Sequence, residues 1–137
     1  FEYNETLYKE LVELRNLILT IEDLRLHFNR IKELEREITL FHSKIVNEIS
    51  LKYKDEVNFV GFHGQTIFHN PELKISRQLG DGELMSQLIK KHVVYDFRQE
   101  DLKNNEPDEI EDVNQNERLT IFEQFTEKIK TFLDNAE

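Results

Sequence analysis

All four glycines of the chain lie between Gly61 and Gly82, and this clustering constrains the fold more than any other feature. Glycine takes positive φ at little cost and lets another group approach the backbone closely. Unusual backbone geometry, and any site that depends on it, is therefore expected in that stretch. The pattern of apolar residues changes just before it, at Val57. Upstream they recur at helical spacing; downstream they form short β-branched and aromatic runs.

The upstream half predicts helices. Leu7, Leu11, Leu14, Ile18 and Ile21 fall three and four residues apart, one stripe of an amphipathic helix with Glu10, Glu13 and Arg15 off it. Thr20 with Asp23 three residues later suggests a second short helical start, because a hydroxyl cap satisfies free amide donors and an acid suits the helix dipole. Ile31, Leu34, Ile38, Phe41, Ile45 and Ile49 form a longer stripe from Arg30 to Tyr53, with Lys32, Glu35, Arg36, Lys44 and Glu48 expected on the other faces. Glu48 interrupts the heptad that a coiled coil would need, so packing against a sheet is favoured.

The downstream half predicts short strands around one helix. Val57 to Val60 reads as a strand, Phe62 to Thr66 as a tight loop, and Ile67-Phe68 as a second strand before Asn70-Pro71. Ile75 to Leu79 reads as a third strand, Gly80-Asp81-Gly82 as a turn, Glu83 to Lys91 as a helix and Val93 to Tyr95 as a fourth strand. Strands separated by a helix indicate an α/β class. Residues 105–117 carry many acids and no basic side chain, as a solvated linker does, and Leu119, Phe122, Phe125, Ile129 and Phe132 predict a terminal amphipathic helix over 118–137. The expected organisation is an α/β lobe over 1–104, the acidic linker and that helix.

A formal net charge of −10 argues against nucleic acid or an anionic membrane as the main partner, since both select for clustered Lys and Arg. No apolar run approaches the roughly 20 residues that span a bilayer, and no basic-then-apolar leader opens the chain. With no cysteine, disulfides and thiolate metal sites are excluded and a reducing cytoplasm is the expected location. A start at Phe1 without Met reads as part of something longer.

Candidate chemistry concentrates near the glycines. His63-Gly64-Gln65-Thr66 follows a strand directly, where α/β proteins gather ligands. An imidazole, a carboxamide and a hydroxyl would offer donors and acceptors to a polyhydroxyl ligand, or the four residues form a polar turn whose His caps local carbonyls. Asp96 and Arg98 follow the last strand. They would grip a ligand by charge-assisted hydrogen bonds or, sharing a strand face, pair with each other. His27, His42, His69 and His92 lack metal-ligand spacing and read as surface or local packing. No Walker-type loop occurs, so the chain has no recognisable nucleotide cradle.

Val60-Gly61-Phe62-His63-Gly64-Gln65-Thr66-Ile67-Phe68-His69-Asn70-Pro71, then Gln78-Leu79-Gly80-Asp81-Gly82, then Val93-Val94-Tyr95-Asp96-Phe97-Arg98 with Asp101 resemble, in order and spacing, the anhydro-N-acetylmuramic acid kinase family. The likeness runs from Glu22 to Lys103 and is strongest over 57–103. It implies one part of a two-lobed, actin-like sugar-kinase fold. In that family ATP and magnesium support phosphorylation of a recycled cell-wall sugar at its 6-position while water opens the 1,6-anhydro ring. It also implies that His63, Gly64, Gln65, Thr66, Asp96 and Arg98 belong to the side of the cleft that holds the anhydro-sugar. The family's Gly-Thr-Ser-x-Asp-Gly-like phosphate segment, its Gly-Gly-Gln-Gly-Ala-Pro segment and its Asp-Thr-Gly-Pro-Gly segment with the water-activating aspartate do not occur in these 137 residues. No catalytic residue, metal ligand or cofactor is therefore expected for the chain alone, and it reads as an inactive fragment or degraded form of the kinase. The alternative is an interaction module that self-associates or binds a partner protein through its amphipathic helices.

Overall fold

A computed structural model describes residues 1–53 and 57–98. The expected linker over 105–117 and helix over 118–137 lie outside the described residues. The chain order is α1 (Glu5–Leu17), α2 (Ile21–Leu26), α3 (Phe28–Tyr53), β1 (Phe59–Phe62), β2 (Gln65–Asn70), β3 (Ile75–Leu79), α4 (Gly82–Ile89) and β4 (His92–Tyr95). This is the mixed α/β composition expected.

Three of the four described helices begin at a polar cap. Asn4 accepts from the Leu7 amide to start α1, and Thr20 and Asp23 form a reciprocal capping box for α2. Because that box starts a new helix, Ile21 leaves the α1 stripe and opens α2; Leu7, Leu14 and Ile18 remain buried. On α3 the stripe is buried at Ile31, Leu34 and Ile38 but has emerged by Ile49. A helix of 26 residues is about 39 Å long, and its final turns extend past the core.

The strands form two separate two-stranded sheets among the described residues. β2 and β3 are an antiparallel hairpin, closed by Asn70 accepting from the Leu73 amide and by Lys74 at a positive φ of 52°. A register shift between Thr66 and Phe68 leaves Ile67 as an extra residue. That bulge breaks strand alternation, so Ile67 and Phe68 are buried in succession. β1 and β4 are parallel, with Phe59 opposite His92 and Phe62 opposite Tyr95; the β2–β3 hairpin and α4 form the crossover between them. α3 packs on α1, α4 and β3, and α4 packs on β4. Leu14, Ile38, Leu79 and Met85 are fully enclosed where these layers meet.

Candidate functional site

The parallel register decides where the polar motifs meet. Phe62 and Tyr95 are the last residues of β1 and β4 and lie opposite each other, so His63-Gly64 and Asp96-Phe97-Arg98 leave the same end of the sheet. Neighbouring strands run about 4.8 Å apart, and this end is their carboxyl end, the side on which open α/β sheets bind ligands. His63, Asp96 and Arg98 are exposed there, and Gln65 and Thr66 are half-buried behind them.

Two expectations need correction. The loop after β1 is only His63-Gly64; Gln65 and Thr66 are already strand residues of the hairpin. Thr66 faces Gln78 across that hairpin, and its Oγ1 accepts from Gln78 Nε2 at 3.3 Å. Asp96 takes a φ of 62°, which ends strand geometry before it can place Asp96 and Arg98 on one strand face. The premise for their pairing as strand neighbours is gone.

The two strand ends are joined by the turn between β3 and α4. Gly64, at a φ of +64°, lies directly on the Leu79 carbonyl, where a methyl group would collide with backbone. Gly82 lies against the face of the Tyr95 ring, which would occupy the position of any Cβ there. The turn thus touches the end of β1 through Gly64 and the end of β4 through Tyr95. Asp81 caps α4 by accepting from the Leu84 amide at 2.9 Å.

α3 holds this turn from below with a polar stripe. Glu35, expected on an outer face, is only 4% exposed. Its Oε1 accepts from Arg77 Nη2 at 2.9 Å and from the Gly80 amide at 3.4 Å, and its Oε2 accepts from Lys32 Nζ at 2.9 Å. One turn on, Thr39 Oγ1 donates to the Glu35 carbonyl and accepts from the Asp81 amide at 3.0 Å. Burial alone would raise the Glu35 pKa; the Lys32 hydrogen bond, the Arg77 charge and the Gly80 amide outweigh it and hold the carboxyl below its ordinary value.

Behind Gln65 lies a second polar group that the motifs did not reveal. Gln65 Nε2 donates to the Tyr3 hydroxyl at 3.0 Å, and that hydroxyl is 2.8 Å from His42 Nε2. His42 fits the expected local packing: its ring meets Tyr3, Phe41 and Phe62 at centroid distances of 5.8, 5.6 and 5.4 Å. This burial, with His63 as a like-charged neighbour when protonated, pushes its pKa below the ordinary value. In sequence, Glu35, Thr39 and Ser43 at four-residue steps were a readable sign of a polar helix face. Nothing in the sequence connects Tyr3 to Gln65.

Among the described residues no three acidic, His or Cys side chains come together as metal ligands. The start of α4 already carries the Asp81 carboxylate, which would repel a phosphate. Nor, among the described residues, is any helix long and apolar enough to cross a membrane.

A sequence model of the family described as anhydro-N-acetylmuramic acid kinase matches residues 4–105. The anhydro-N-acetylmuramic acid kinase of Pelagibacter ubique is 54% identical over 104 residues, 76% of this chain and 28% of the relative. Those of Brucella canis and Rhodopseudomonas palustris are 35% and 36% identical over 77 and 73 residues, 54% and 51% of this chain and 21% and 20% of each relative. The chain spans under a third of the curated relatives it matches, along the stretch that carries the polar loop, the glycine turn and the second strand end, and it belongs to the anhydro-N-acetylmuramic acid kinase family.

Proposed function

We propose that this chain forms the sugar-holding wall of an anhydro-N-acetylmuramic acid kinase, a piece of one lobe of an actin-like fold in the cytoplasm. His63, Gln65, Thr66, Asp96 and Arg98 bind the anhydro-sugar, and Gly64 brings the backbone up to it. The observation that supports this most is the register that brings the polar loop and the Asp96–Arg98 strand end out on one side. Imidazole, carboxamide, hydroxyl, carboxylate and guanidinium together suit a ligand with several hydroxyls and a lactyl carboxylate, which Arg98 would pair. ATP and magnesium serve the family's reaction, and phosphoryl transfer depends on positioning and charge stabilisation. The 137-residue chain contains neither the phosphate segment nor the water-activating aspartate, so by itself it turns over no ATP.

Calorimetry with 1,6-anhydro-N-acetylmuramic acid tests the reading. The parent should bind, and Thr66→Ala and Arg98→Ala should weaken binding by roughly 10-fold or more, the scale of one lost hydrogen bond or charged contact. Equal heats for all three proteins would remove the site assignment, and sugar-dependent ADP release from the chain alone would refute its inactivity.

A further inference from the structure

The Tyr3–His42–Gln65 chain is built with more order than a surface contact needs. Gln65 Nε2 can only donate, so the Tyr3 oxygen accepts from it and the Tyr3 proton is free for His42 Nε2. That arrangement requires the imidazole to carry its own hydrogen on Nδ1. The surroundings favour this neutral form: Phe41 and Phe62 pack on the His42 ring, and Tyr3 packs on Phe41 at a centroid distance of 4.7 Å. Among the described residues Gln65 Oε1 accepts no hydrogen bond, so the carboxamide has its donor end tied and its acceptor end open. Tyr3 precedes the residues matched by the family model, 4–105.

We propose that Tyr3 and His42 are positioning residues for Gln65, fixing its carboxamide so that Oε1 is the acceptor presented to a hydroxyl or amide N–H of the bound sugar. The substrate half of this statement rests on the sugar-site reading above; the relay itself does not. His42 sits between the N-terminal segment and the strand end, and the titratable groups facing it are Tyr3 and His63. Protonating His42 turns its Nε2 into a donor, takes away the acceptor for the Tyr3 proton, and leaves the Tyr3 oxygen to accept from both His42 and Gln65, which changes the surroundings of the Gln65 amide.

Nuclear magnetic resonance on the 137-residue protein reads the relay without ligand, through the side-chain amide of Gln65. In the parent this amide should be ordered and should shift as His42 titrates, at a pH below the ordinary histidine value of about 6.5. Tyr3→Phe, which keeps the ring packing, should make it mobile while the β2 backbone amides stay in place. His42→Gln supplies a carbonyl acceptor and should preserve the order; His42→Phe should lose it. A Gln65 amide unchanged by Tyr3→Phe would overturn the proposal. In calorimetry, Tyr3→Phe should weaken the anhydro-sugar by roughly 2- to 10-fold, and affinity equal to the parent's would overturn the positioning role toward substrate. An ordered, Tyr3-dependent Gln65 in a parent that binds no sugar supports the relay and sinks the sugar-site reading instead.

Discussion

Gly64 adopts a φ of +64° with its α-carbon set against the Leu79 carbonyl. An L side chain there would meet two separate costs, the left-handed backbone and a collision with main chain that cannot rotate away. Gly64→Ala should therefore destabilise the lobe by at least about 2 kcal/mol, seen as a fall in Tm of roughly 10 °C for a unit of this size. An unchanged Tm would mean that the loop does not rest on the turn. The glycine cluster was legible in sequence because glycine's advantage is specific to such backbone. What each glycine touches was not, because Leu79 and Tyr95 become its neighbours only when the hairpin and the crossover close.

The elements were mostly readable from their own residues. Caps at Asn4, Thr20 and Asp81 set three helix starts locally, and the 3.6-residue period marked the buried stripes of α1 and α3. The failures came where partners decide. Glu35 looks like an outer-face residue because a carboxylate is rarely buried, yet Arg77, Lys32 and the Gly80 amide, two of them more than forty positions away, make burial tolerable. α3 thereby clamps the turn before α4. Glu35→Ala should cost about 2 kcal/mol, the scale of hydrogen bonds to a charged group. Its pKa is depressed in the folded state, so its contribution is fully present above the unfolded carboxyl value of about 4.3 and is lost as pH falls through the lower folded value. Denaturant titrations should show parent stability dropping faster than that of Glu35→Gln between pH 5 and the acid limit in roughly that range; parallel curves would remove the clamp.

At the scale of the whole molecule, the described lobe leaves large apolar side chains in water, among them Leu19 at 76%, Leu26 at 75% and Leu51 at 81% exposed. Among the described residues each of its two sheets has only two strands, and exposed edges and apolar surface favour association. Light scattering of the purified chain should show a mass that rises with concentration; a clean monomer at high concentration would count against the interaction-module reading. β1 and β4 carry a further consequence. They are parallel, with Phe59 opposite His92, so their pairing must wait until the intervening chain, itself folded into the β2–β3 hairpin and α4, has looped back. The N-terminal helices can form from neighbours in sequence, whereas the two polar strand ends become adjacent only once the crossover between them has closed.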